Sequence, residues 1–325
     1  LKTKAIMLGG LVIIPFCGNG QNINTVLSDW SVVTAGNLQA VNDIQGSAYV
    51  GGNVTVPGSF NVATGSSSLS KSTVSFAVAG NIQSGGNLQV DGGSVVAGGT
   101  INRTIILNSG GIAKQNDPAG LPASPVRAIA SASKYWSTLS ANSSVSVAAN
   151  GQLDFNCQAG SSLAVFNLSA QQMFGSGYQG FALNPAAGTG DILINLEGAN
   201  VNWNSGSFFS QFNTQKWNSR VLFNFYDATS VNLSGLLGGY VVAPKANVTA
   251  QNDIDGGIMA GNLTVESAVD LPGSGISAWS GDLPSVPTAS VPEVPAWSWA
   301  AGLGAVGLTA VSLRRRQSWF RETGR

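Results

Sequence analysis

Histidine is absent from all 325 residues. That removes the side chain used most often as a general base near neutrality and most often bound to metal, so Ser-His-Asp chemistry and histidine zinc sites are excluded. Cysteine is almost absent. Cys17 and Cys157 cannot build a four-ligand metal site, and if Cys17 departs with an export signal, Cys157 has no disulfide partner. Charge is scarce as well: 9% of residues are Asp, Glu, Lys or Arg, against about a quarter in ordinary soluble domains. Residues 21–292 hold eight basic and thirteen acidic residues, a net charge of −5. The basic cluster that a nucleic-acid partner requires is missing. No catalytic residue, cofactor or metal site can be assigned, and a non-enzymatic role is expected.

Glycine is what the chain has instead, 42 residues of it. Gly-Asn-apolar recurs at Gly36-Asn37-Leu38, Gly52-Asn53-Val54, Gly80-Asn81-Ile82, Gly86-Asn87-Leu88 and Gly261-Asn262-Leu263. Glycine and asparagine both tolerate positive φ, so each pair reads as a corner leading into a short strand. GNLQAVNDIQGSAYVGGNVTV near the start has a counterpart in AQNDIDGGIMAGNLTV near residue 260. That kinship predicts neighbouring coils with Ile44 and Ile254 facing inward.

Short strands with glycine-rich corners favour a mainly β fold, an irregular right-handed β-solenoid (β-helix), with a β-sandwich as the alternative. DILINLEGANVNW and RVLFNFYDA read as strands covered on both faces, since Leu193 and Leu222 break their polar alternation. One packed α-helix is expected in SPVRAIASASKYWSTLSAN: Ser124 as cap, Pro125 at the first helical position, then Val126, Ile129, Ala130, Ser133, Trp136 and Leu139 on one face.

Both ends read as addresses. Residues 1–20 carry Lys2 and Lys4, an apolar core from Ala5 to Phe16 and a small-residue exit, the pattern of a signal peptide cleaved after Gly20. Bulky Phe16 before Cys17 argues against lipidation. The domain is expected over 21–272, a Pro/Ser-rich spacer over 273–295, and a C-terminal hydrophobic helix over 296–325 whose apolar stretch ends at Arg314, Arg315 and Arg316. Eighteen uncharged residues suffice to cross a bilayer, and the arginines would stop transfer on the cytoplasmic side. With Val291, Pro292 and Glu293 before it, this tail resembles the PEP-CTERM sorting signal, although Val294 stands where that signal has its second proline. The resemblance implies processing by an exosortase-type enzyme near Glu293.

Two candidate chemistries come from the body. Asn252, Asp253 and Asp255 precede Gly256 in a spacing that would suit calcium, or a plain turn. Trp30, Tyr135, Trp136, Tyr178, Trp203, Trp217, Tyr226 and Tyr240 could stack on sugar rings or could be packing. Thr55, Thr249 and Thr264 look isolated, which argues against the ranks of threonine an ice-binding face needs.

The stretches GNLQAVNDIQGSAYVGGNVT, DILINLEGANV, SRVLFNFYDATSVNLSG and GGYVVAPKANVTAQNDIDGGIMAGNL resemble the choice-of-anchor A domain, a bacterial surface family. The resemblance implies an exported protein of the cell envelope or extracellular matrix, adhesive or associated with extracellular polysaccharide, with no catalytic residues to transfer. A β-helical lyase-like carbohydrate-active enzyme and a passive surface-layer component are the alternatives.

Overall fold

The computed structural model describes residues 21–287, apart from 41, 67–68, 176, 204–207, 211, 213 and 272–277. Gly20, Val291, Pro292, Glu293, Arg314, Arg315, Arg316 and the expected hydrophobic helix lie outside the described residues. Contacts divide the chain into residues 1–286 and 287–325, and the fold below belongs to the first unit. No helix among the described residues is long and apolar enough to cross a membrane.

Most strands are short and alternate with sharp corners because apolar and polar residues alternate in short runs. Each run has one face to bury. They stack as parallel rungs in a mainly β, solenoid-like coil with three ladders. The first ladder runs through 163–169, 191–197, 221–224, 240–242, 258–260, 32–34, 48–50, 76–78, 95–97 and 113–114. The second runs through 200–203, 230–233, 247–250, 262–265 and 38–40, then Val54, Ile82 and Ile101. The third aligns Leu237, Ile254, Val269, Ile44, Val62, Val90 and Leu107. A separate four-stranded sheet joins Ser144–Val147, Gln152–Asn156, Gly180–Asn184 and Phe208–Ser210.

The stacking order is not the chain order. Residues 258–270, the last coil of the C-terminal half, sit directly on residues 32–44, the first coil of the N-terminal half. The two related glycine-rich stretches therefore meet, as expected. Ile44 and Ile254 are both fully buried in one rank of the third ladder with Val269 between them.

Inward side chains such as Leu38, Val54, Ile82, Val248 and Leu263 fill the coil. Each fully buried aliphatic side chain stabilises by about 1.5–3 kcal/mol before chain entropy is set against it. A second apolar layer covers the outside of the first ladder, and it explains why those strands read as apolar on both faces. Val33, Tyr49, Leu193, Leu222, Val242 and Met259 point outward there and are roofed by helices Ile23–Asp29 (α1) and Val126–Trp136 (α2) and by Trp279 and Leu283. Trp279 and Leu283 in this layer come from the stretch expected as a spacer.

Among the described residues there are four α-helices rather than one: Ala170–Phe174 (α3) and Gln215–Asn218 (α4) are short and lie between strands. Their brevity leaves no helical period to read. In α2 Ser124 does not cap; Pro125 occupies the cap position and no side chain closes the helix start. Its buried face is Ile129, Ala132, Ser133 and Trp136, while Ala130 is exposed. An asparagine ladder, buried at Asn195 and Asn224, docks this helix. Asn195 donates to Asn167 Oδ1 at 2.9 Å, Asn224 donates to Asn195 Oδ1 at 2.8 Å, and Ser133 donates to Asn224 Oδ1 at 2.6 Å.

Candidate binding face

The helical roof lies on the first ladder, and the outward side chains of the second ladder are exposed or half-buried. They form two columns across eight rungs. The first column is Asn200, Ser230, Asn247, Asn262, Asn37, Asn53, Asn81 and Thr100; the second is Asn202, Asn232, Thr249, Thr264, Gln39, Thr55, Gln83 and Asn102. Rungs repeat at about 4.8 Å along the stack and the columns lie about 6.6 Å apart across it. Every outward side chain in them is an amide or a hydroxyl. Arg103, next to the last rung, turns away: its Nε donates to the Gln83 carbonyl at 2.9 Å, Nη2 donates to the Val56 carbonyl, and the guanidinium lies 5.3 Å from the Phe60 ring centre.

The asparagines are tied to the backbone. Asn262 Oδ1 accepts the Asn37 N–H at 2.7 Å, Asn37 Oδ1 the Asn53 N–H at 2.8 Å, Asn53 Oδ1 the Asn81 N–H at 2.8 Å, and Asn81 Oδ1 the Thr100 N–H at 2.8 Å. One bond per rung fixes the corner, and the coil between rungs is free to be 16, 28 or 19 residues long.

The glycines follow from this ladder, and not from positive φ, which none of the Gly-Asn glycines adopts. A Cβ on Gly52 would lie 2.6 Å from Asn37 Oδ1 and 2.7 Å from the Gly36 carbonyl carbon; one on Gly80 would lie 2.6 Å from Asn53 Oδ1. Only glycine lets successive corners nest this closely. Gly86-Asn87 is a corner of a different kind, opening the third ladder where Leu88 pairs with Phe60, and it stands outside this series.

The threonines are not isolated. Thr249 and Thr264 are rung neighbours, Gln39 follows Thr264, and Thr55 follows Gln39. The sequence signal that could have found them is the recurring tripeptide Asn-apolar-Thr/Gln/Asn. It was hidden by unequal coil lengths.

The other candidates fare differently. Asn252 donates to the Ser234 carbonyl, Asp253 accepts from Ser267 Oγ and from the Ala268 N–H at 3.1 Å, and Asp255 pairs in register with Asp270. The trio does not converge, and no group of three or more His, Cys, Asp or Glu among the described residues could hold a metal. Asp255 and Asp270 do share an acidic patch with Asp43. Partial burial, then repulsion from Asp253, Asp255 and Asp43, pushes the Asp270 carboxyl up to about 6. Trp30, Trp136, Trp203, Trp217 and Tyr240 are buried. They are core rather than sugar-stacking platforms, because the roofed outer layer needs large apolar side chains as much as the interior does. Tyr135, Tyr178 and Tyr226 are half-buried. Cys157 is a free thiol that burial pushes up to about 11.

No curated protein and no solved structure matches the chain significantly. A family profile does, over residues 23–271, which spans the coil from α1 to the last strand of the third ladder. On that match the chain belongs to the family described as "Putative Ice-binding-like adhesive domain".

Proposed function

We propose that the protein is a non-enzymatic surface adhesin that holds extracellular polysaccharide or matrix on the uncharged two-column face. The observation that carries this reading is the face itself: eight rungs of amides and hydroxyls at about 4.8 Å spacing, with no charged side chain in either column. Many weak hydrogen bonds at a fixed repeat suit a polymer and give affinity by multiplicity. Amides and hydroxyls tied into a ladder offer no proton-transfer group of useful pKa, so the face suits holding rather than cleaving. The adhesive family supports the same role.

Delivery follows from the two ends. The N-terminal signal ending at Gly20 exports the chain. The Val291-Pro292-Glu293 tail, with its apolar stretch and Arg314, Arg315 and Arg316, places it in the envelope or matrix, in keeping with the choice-of-anchor A and PEP-CTERM resemblances. Between them the described fold is read as an irregular right-handed solenoid.

The test is co-sedimentation of the purified protein with the extracellular polysaccharide of a producing bacterium. Replacing Thr249 and Thr264 together by Lys puts two bulky charges on adjacent rungs, and binding is expected to fall at least tenfold with melting unchanged within about 2 °C. Unchanged binding sinks the reading; release of shortened polymer supports the lyase-like alternative instead. A second reading, contact with an ice surface, is favoured by the alignment of Thr249, Thr264 and Thr55 in one column. Inhibition of ice recrystallisation, lost in the same double variant, would select it.

A further inference from the structure

The first column is not uniform in what it offers a ligand. Asn37, Asn53 and Asn81 each spend Oδ1 on the backbone N–H of the next rung, at 2.8 Å in all three cases. This fixes the orientation of each amide, because exchanging oxygen and nitrogen would set donor against donor. Their Nδ2 groups are left over. Among the described residues none of the three donates a hydrogen bond within the protein, whereas the Nδ2 of Asn262 is spent on Asn247 Oδ1 at 2.8 Å and, in the second column, that of Asn232 on Asn202 Oδ1 at 3.0 Å. At the other limit the ladder ends on Thr100, whose hydroxyl donates inward to Asn81 Oδ1 at 3.0 Å.

Three consecutive rungs therefore present amide donors in a line about 10 Å long, flanked by Gln39, Thr55 and Gln83 in the second column. We infer that these three rungs are a donor rail for an extended neutral polysaccharide lying along the stack, its ring, glycosidic and hydroxyl oxygens accepting from Asn37, Asn53 and Asn81. The inference rests on the adhesive role of this face and assigns the ligand's chemistry within it. A neutral chain fits because the rail carries no cation to compensate an acidic one, and residues 21–292 are net −5. Orientation along the stack follows from the leftover donors repeating in that direction, with only two columns across it.

The experiment measures binding of full-length protein to mixed-linkage β-glucan oligosaccharides of increasing length by calorimetry, with polygalacturonate as the acidic comparison. Asn53→Asp keeps an oxygen for the Asn81 N–H and removes the donor. It should melt within about 2 °C of the parent, yet bind the glucan about three- to tenfold more weakly, the worth of one or two hydrogen bonds. Asn156→Asp, on the separate sheet, adds the same charge and should change affinity less than twofold. Affinity should also climb with oligosaccharide length until the rail is spanned. If the Thr249 and Thr264 double variant loses glucan binding while Asn53→Asp keeps it, the rail is wrong and the face stands. If neither variant loses binding, both fall. Binding to polygalacturonate in place of the glucan overturns the neutral ligand.

Discussion

Replacing Gly52 by Ala adds a single carbon where the coils nest. That carbon would sit 2.6 Å from Asn37 Oδ1, 2.7 Å from the Gly36 carbonyl carbon and 2.8 Å from its oxygen. Ordinary contacts are near 3.5 Å or more, so the two corners must part by most of an ångström. The bonds that resist are those from the Gly52 N–H to the Gly36 carbonyl and from the Asn53 N–H to Asn37 Oδ1, each 2.8 Å. Overpacking of this kind costs about 1–3 kcal/mol, and loss of a rung bond with a donor left unpaired adds about 1–3 kcal/mol if the corner opens. A total of about 2–6 kcal/mol is expected, and at about 2 °C per kcal/mol for a domain of this size that lowers the melting temperature by roughly 4–12 °C. Gly58→Ala supplies the comparison, because a Cβ there meets nothing within 4 Å and neither glycine has positive φ. It should be neutral or stabilising by up to about 1 kcal/mol. Urea unfolding monitored by tryptophan fluorescence measures both. An Asn37→Ala background should relieve part of the Gly52→Ala cost, since the side-chain clash goes while the Gly36 backbone remains. If the two alanine variants agree within about 0.5 kcal/mol, corner nesting does not hold this coil together.

Asn224→Leu should destabilise by about 2–4 kcal/mol in the same urea assay, because Ser133 Oγ, the Ser133 carbonyl and Asn195 Oδ1 all lose their partner inside an apolar layer; a cost under about 1 kcal/mol would mean the ladder does not dock α2. Acidification should raise stability. Burial lifts the carboxyls of Asp29, Asp43, Asp191 and Asp255, and lifts Asp270 to about 6, above their values in the unfolded chain. The folded state then binds more protons than the unfolded one between about pH 4 and 6, so stability is fully present below that window and lost as pH rises through it; a melting temperature that drops steadily from pH 7.5 to 4.5 contradicts this. Cys157, raised to about 11 by burial, should react with a disulfide reagent at pH 8 about a hundredfold more slowly in the folded protein than in urea; equal rates would place the thiol at the surface.

Much of the architecture was legible in residues close together in the chain. Alternation in DILINLEGANVNW and RVLFNFYDA marks strands, and their apolar outer residues Leu193 and Leu222 correctly imply a second covered face. The spacing from Val126 to Trp136 marks the helix that covers it. The helices α3 and α4 were not legible, being about one turn each. The aromatics misled for a related reason: composition does not separate a tryptophan on a surface from one under a roof, and α1, α2, Trp279 and Leu283 form that roof from segments some 250 residues apart in the chain.

The binding face was the least legible part. Its tripeptides were all visible, but whether Thr55, Thr249 and Thr264 share a column depends on which corner stacks on which. Local sequence determines that each Gly-Asn pair is a corner with an inward aliphatic next to it. The alignment of those corners comes from asparagine hydrogen bonds between rungs 15, 16, 19 and 28 residues apart, and from the docking of residues 258–270 onto residues 32–44. Hydrogen bonds across rungs are indifferent to the length of chain between them, so only the folded coil turns scattered asparagines and threonines into two straight columns.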